Sequence, residues 1–355
     1  MKPATWPRDD APGDRLLHLD LASGSLRDAR IADLPPLLRR GDVLVVNDAA
    51  TLPASLQGHV ESGASVEARL VGELSGGAFR AVLFGPGDWR TPTEHRGPPP
   101  VLRAGDRLSF GELRAAVVRI SSVSPRLVEL RFEQPPDRLW PLLYRFGRPV
   151  QYSYAKAPFE AWHVQVPYAS QPWAAEMPSA GRPLRWEVLL NVRQRGVAVA
   201  SITHAAGLSS TGDPQLDALL PFAEPYKIPL STASMIEHAQ ASRRRIIAIG
   251  TTVVRALEHA AAMFDGAVPA GEGLATQRMG ASSRLRIVDA MLTGTHDRGS
   301  SHYDLLRAFV DDGTLRRIDR ELNVQNYRTH EFGDSVFLER ADDEMRSEGQ
   351  QRAAL

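Results

Sequence analysis

The sequence predicts an α/β domain with an inserted small antiparallel β-barrel, and three observations carry that prediction. Apolar runs such as Val43–Val46 and Ile246–Ile249 show no alternation, as expected of strands buried on both faces of a parallel sheet. From about Leu52 to Phe132 the pattern changes to five or six short β-rich runs separated by Gly, Pro and Asp, which is how a small barrel reads. Strand–helix alternation then resumes, so the barrel interrupts the α/β unit. At 355 residues the chain is too long for one ordinary core. The division expected is 1–52 with 136–340 as a discontinuous α/β domain, 53–135 as the barrel and 341–355 as a polar tail.

The elements follow in order. RLLHLDL alternates as a strand, ASGS turns, and a short helix ends at Arg39–Arg40 before Gly41. DVLVVND is the first buried strand. Its Asn47 and Asp48 stand at the carboxyl end, where α/β proteins place ligand groups. Residues 134–185 are so rich in Pro and aromatics that they predict an irregular binding loop and no regular element. RWEVLLNVRQRG predicts an amphipathic helix with Trp186, Leu189, Leu190 and Arg193 on one face. VAVASITHAAG is a strand running into a Gly/Ser loop. STASMIEHAQASRRR is a helix with Ser231 as its N-cap. RIIAIGTT is a strand, and VVRALEHAAAMF is a helix that starts after Thr251–Thr252. LRIVDAMLTG is strand-like, SSHYDLLRAFVDDG a helix, and NYRTHEFGDSVFLER a loop and last strand.

Composition narrows the function. There is no cysteine, which excludes disulfides, thiolate nucleophiles and Cys-ligated metals. No apolar run approaches the roughly 18 residues that span a bilayer, and the polar, Pro-rich start does not read as a signal peptide, so a cytoplasmic location is expected. Basic and acidic residues balance at 42 each, without the basic excess usual in a dedicated nucleic-acid binder. HExxH, a Walker loop, GxGxxG and GxSxG are absent, and no metal site is expected.

The strongest local signal is IAIGTTVVRALEHA. Gly250 ends a strand and Thr251–Thr252 open a helix, whose free N–H groups attract a carboxylate or phosphate. The plainer reading is a strand–turn–helix with a Thr cap. Arg255 and Glu258 share a helical face, where they can pair on the surface. His204 and His296 follow strands and suit proton transfer, although a lone His is more often structural. Asp48 is a ligand carboxylate or a turn-former. Asp334 in FGDSVF points to the site or makes a Gly-Asp turn.

In series, DRLLHLD, GDVLVVNDAATLPASLQG, VEARL, VQVPYA, MPSAG, ITHAAGLSS, AEPYKI, IIAIGTTVVRALEHA, MLTGTH and YRTHEFGDSVFL resemble the S-adenosylmethionine:tRNA ribosyltransferase-isomerases of queuosine synthesis, from about Arg15 to Leu338. The resemblance implies an α/β fold with an inserted barrel. It implies S-adenosylmethionine as co-substrate and ribosyl donor, with adenine and methionine leaving. It implies tRNA bearing an aminomethyl-7-deazaguanine as acceptor and epoxyqueuosine as product. Carried over residue by residue, it makes His204, His296, Glu224 and Asp48 catalytic candidates. It makes Asn47, Tyr168, Pro178, Ala180, Gly181, Gly250, Thr251, Thr252, Arg255, Glu258, Arg328 and Asp334 binding candidates.

Departures from the family pattern fall at Ala49–Ala50, where Thr-Arg is usual, and at Ser55, where Arg is usual. Arg182–Pro183 replace Leu-His, and Asp297–Arg298 replace Leu-Pro. They leave two alternatives beside tRNA modification: the donor pocket serving a small-molecule acceptor, and a non-catalytic scaffold that binds S-adenosylmethionine.

Overall fold

A computed structural model describes residues 1–340 apart from 12, 21, 22 and 75. The predicted tail, 341–355, lies outside the described residues. A nine-stranded sheet forms the centre. Its order is Gly271–Ala275, Glu224–Ile228, Ala198–His204, Val43–Asn47, Ile246–Ile249, Ala290–Gly294, Ser335–Glu339, Arg15–Asp20 and Ser25–Arg30. The four strands from Ala198–His204 to Ala290–Gly294 are parallel, with Ile202 opposite Asn47 and Ile249 opposite Leu292. This is why Val43–Val46 is apolar without alternation: all five residues of the strand Val43–Asn47 are buried. One face packs against Leu230–Ala241, Thr251–Met263 and Asp312–Val324 through Ile236, Leu257 and Ile318. The other face packs against Leu34–Leu37 and Trp186–Gln194 through Leu34, Val188 and Leu189.

Six strands between Ser55 and Phe132 close a barrel, as the sequence predicts. Closure joins Ser55–Val60 to Arg107–Phe110, with His59 opposite Ser109. Gly58 permits it, because a Cβ there would lie 2.0 Å from the Ser109 carbonyl oxygen. Backbone cannot retreat as a side-chain tip can. Gly58→Ala is expected to cost about 3 kcal/mol, the upper end for an overpacked site, read as a lowered thermal midpoint. An unchanged midpoint would mean that this strand pair is not the closure.

Several local expectations need correction. The Pro-rich segment contains a helix, Pro136–Phe146. Pro136 takes the first helical position, where no N–H is needed, and Leu139 and Leu143 join the barrel core. That burial outweighs the break imposed by Pro141. In Trp186–Gln194 the buried side chains are Val188, Leu189 and Val192, while Trp186 and Leu190 are exposed. Ser231 is not an N-cap: the helix starts at Leu230, and Pro229 holds the cap position without a side-chain bond. A second helix, Asp312–Val324, follows Ser301–Leu306 and was not foreseen. Asp311 caps it by accepting from the Gly313 and Thr314 N–H groups.

Candidate active site

Parallel pairing brings the carboxyl ends of four strands to one edge of the sheet. Asn47, His204, Gly250 and Thr293 stand there. Asn47 fastens the edge together. Its Oδ1 accepts from the His204 and Ala49 N–H groups at 2.9 and 3.1 Å. Its Nδ2 donates to the His204 carbonyl at 3.0 Å and to Thr252 Oγ1 at 3.2 Å. Gly250, at φ +91°, makes the turn from strand to helix, a conformation that suits glycine. The helix starts at Thr251.

Beyond this edge lies a cavity of about 400 Å³. Of the residues expected from the sequence, Glu224, His296, Pro178, Ala180, Gly250, Thr251, Thr252 and Arg255 line it. A more open groove of about 490 Å³ runs between the barrel and the sheet edge, past Trp140, Trp173 and Tyr226, and none of these candidates lines it.

Arg255 does not pair with Glu258 on the surface; both are buried. The Arg255 guanidinium pairs with Glu224 and donates to the carbonyls of Phe222, Ala275 and Gln277. Its Nε has no hydrogen-bond partner among the described residues. Glu258 accepts the N–H groups of Arg286, Ile287 and Val288 at 2.7, 3.0 and 2.8 Å. The two side chains were drawn from the surface into the core because each meets backbone groups that otherwise lack partners.

His204 is fully buried behind Glu224. Its Nε2 lies 3.5 Å from a Glu224 carboxylate oxygen, without hydrogen-bond geometry, and neither ring nitrogen has a hydrogen-bond partner among the described residues. Burial, reinforced by the Arg255 charge, holds the ring well below the usual His range, so it is neutral. Burial raises the Glu224 carboxyl although Arg255 opposes it. Gly207 N–H donates to Glu224 at 2.7 Å. His296 Nε2 lies 2.7 Å from Thr293 Oγ1, and its ring stacks on His302 at 5.0 Å. Burial, then His302 and His330, keep His296 neutral as well.

The remaining candidates lie outside the cavity wall. Asp48 accepts from Thr203 Oγ1 at 2.7 Å. The Tyr168 hydroxyl has no partner and abuts Gly181, where a Cβ would come within 2.0 Å of it. Asp334 is buried and accepts from Arg8 at 2.7 Å and from the Arg328 N–H at 2.7 Å. Arg328 is exposed beside it, in a surface concavity shared with Arg8, Arg15 and Arg30.

Sequence reading missed much of the opposite wall. Tyr152 donates to Glu176 and Tyr154 to Glu331, and the two tyrosine rings stack at 6.0 Å. Burial pushes Glu331 up to about 7 and His302 down to about 4. Tyr152, Tyr154 and Glu176 sit in the segment read as a binding loop, so the stretch was legible and the individual residues were not. Glu331 lies inside YRTHEFGD, between residues that drew the attention.

Comparison with known proteins agrees with this architecture. A sequence model described as queuosine biosynthesis protein matches residues 2–338. An S-adenosylmethionine:tRNA ribosyltransferase-isomerase of Citrifermentans bemidjiense is 31% identical over 341 residues, covering 94% of this chain and 95% of that protein. One from Thermus thermophilus is 33% identical over 317 residues, covering 87% of each. The crystal structure of S-adenosylmethionine tRNA ribosyltransferase from Thermotoga maritima shares the fold, with a TM-score of 0.51, 21% identity, and coverage of 94% of this chain and 95% of that one. The chain therefore belongs to the queuosine biosynthesis protein family, that of the S-adenosylmethionine:tRNA ribosyltransferase-isomerases.

Proposed function

We propose that the chain takes S-adenosylmethionine into the 400 Å³ cavity and transfers and isomerises its ribosyl portion onto the aminomethyl group of a 7-deazaguanine in tRNA. The observation that carries this is a convergence in one cavity. It holds the open helix start at Gly250–Thr252, the Arg255–Glu224 pair and His296, with neutral His204 behind. The volume falls within the roughly 300–1,000 Å³ of small-molecule sites. The helix start suits a carboxylate, and the unpartnered Arg255 Nε suits an acceptor atom.

The donor brings the hard chemistry, a sulfonium that acidifies the neighbouring C5′–H. The chain's own task is to hold protons and exclude water. Glu224 faces the cavity and exchanges the proton, and neutral His204 stands behind it as the second acceptor. His296, oriented by Thr293, serves the leaving adenine.

The relatives' names point to tRNA. Arg8, Arg15, Arg30 and Arg328 line a surface concavity with Asp10 and Asp334; Arg8 and Arg15 are paired with carboxylates, which leaves Arg30 and Arg328 to meet phosphates. A second reading is a small cationic acceptor. The cavity wall holds Glu176, Asp217, Glu224, Asp297 and Glu331 against Arg255 and Arg278, a sign unsuited to phosphate.

The test is adenine and methionine release from S-adenosylmethionine, followed by mass spectrometry with and without the aminomethyl-deazaguanine tRNA. Release that requires the tRNA supports the first reading. Release only with a small primary amine supports the second. Silence in every tube overturns both. His204→Gln is expected to lower turnover by about 10²–10⁴-fold, the range for lost acid–base catalysis, with donor binding kept within a few-fold. Unchanged turnover removes His204 from the mechanism.

A further inference from the structure

The barrel does more than sit beside the site. Arg69, on the barrel strand Ser65–Glu73, is 1% exposed. Its Nε donates to Glu67 at 2.8 Å, but Nη1 has no partner among the described residues. Its guanidinium lies 4.7 Å from the centre of the Phe84 ring and 5.4 Å from that of Tyr152. Arg96 and Arg126 approach the same Phe84 ring, at 5.2 and 5.1 Å. Three guanidiniums thus crowd one ring, and Glu67 is the carboxylate in direct contact with two of them. Buried charge in excess is costly unless another carboxylate offsets it.

Tyr152 leads to that carboxylate. Its ring rests against Arg69, and its hydroxyl donates to Glu176 in the cavity wall. Ser209 also donates to Glu176, from N–H at 3.0 Å and from Oγ at 3.3 Å. Among the described residues all three donors meet the same oxygen, Oε1. None of the three reaches Oε2. Burial raises the Glu176 carboxyl; the hydrogen bonds from Tyr152 and Ser209 oppose that rise, and the Arg69 charge adds to them.

We infer that Arg69 is a positioning residue that, through Tyr152, holds Glu176 as a hydrogen-bond acceptor in the cavity wall for an N–H or ammonium group of the substrate. A barrel residue thereby sets the polarity of a site built on the sheet. The inference rests on the proposed function for its substrate, but the coupling between Arg69 and Glu176 does not.

Two measurements on the full chain separate these. The first is a double-mutant cycle in thermal stability with Arg69→Met, Glu176→Gln and both together. Arg69→Met is expected to lower the midpoint less than half as much in the Glu176→Gln background as in the wild type. Equal losses in the two backgrounds overturn the inference, whatever the enzyme does. The second is adenine release by Arg69→Met and Arg69→Lys. Arg69→Met is expected to weaken S-adenosylmethionine or acceptor KM at least tenfold, with kcat falling less, and Arg69→Lys to recover most of that loss. Coupling in the cycle without turnover in the wild type would sink the proposed function and leave the inference standing. Wild-type KM values in an active, folded Arg69→Met protein would sink the inference alone.

Discussion

Arg255→Ala is expected to abolish turnover and to lower the thermal midpoint by about 10 °C, as loss of about 3–5 kcal/mol implies. The guanidinium is 4% exposed and meets the Glu224 carboxylate and three backbone carbonyls. Truncation strands a buried carboxylate that keeps one neutral donor, the Gly207 N–H. The pH dependence has a definite sign. Burial already raises Glu224 and Arg255 opposes the rise, so the variant raises it further. A carboxyl with a raised folded value binds its proton more tightly when folded. Its contribution to stability is present at low pH and is lost as pH climbs from the ordinary carboxylate range to the folded value. The deficit should therefore be larger at about pH 8 than at about pH 5. Arg255→Lys should rescue little, because an ammonium cannot span the carboxylate and three carbonyls as the planar fork does. A midpoint equal to wild type at both pH values would show that the pair is not buried as described. Differential melting at the two pH values decides it.

Glu258→Ala should be nearly as damaging to stability, about 3–5 kcal/mol, because two buried N–H groups and a part-buried one lose their acceptor together. Those groups belong to Arg286, Ile287 and Val288, just before the strand Ala290–Gly294. Glu258→Gln should recover part of the loss, since one amide oxygen still accepts from Ile287 and Val288 while the amide nitrogen faces the Arg286 donor. The activity signature separates this residue from Arg255. Glu258 is outside the cavity wall, so the folded fraction of either variant should keep kcat within a few-fold. A kcat loss as deep as that of Arg255→Ala, in protein that remains folded, would give Glu258 a part in the chemistry. Denaturant titration beside active-fraction kinetics makes the measurement.

How far the sequence could be read depended on the range of the interactions. Val43–Asn47 and Ile246–Ile249 were legible because burial on both faces removes alternation from a short stretch of chain. The barrel was legible because six strands and their turns fall within one interval. Pro136–Phe146 was hidden because its helix depends on Leu139 and Leu143 finding the barrel core, a contact that local composition cannot report. The Arg255–Glu258 spacing suggested a surface pair, yet each side chain turned to partners elsewhere in the chain: Glu224 for one, Arg286–Val288 for the other. Gly250, Thr251, Thr252 and His296 were legible as candidates for the cavity wall because strand ends and strand–turn–helix junctions announce themselves in sequence. Glu176 and Glu331 were not, since only the fold brings Tyr152 and Tyr154 against them.

The order of strands in the sheet also sets a timetable for synthesis. Arg15–Asp20 is hydrogen-bonded in parallel to Ser335–Glu339, so this strand waits for a partner made much later in the chain. Val43–Asn47 waits in the same way for Ala198–His204 and Ile246–Ile249. The barrel strands find their partners between Ser55 and Phe132, and nearer contacts close faster. A nascent chain would therefore carry a finished barrel beside an apolar strand still without neighbours, which is the stage at which chaperone protection matters most.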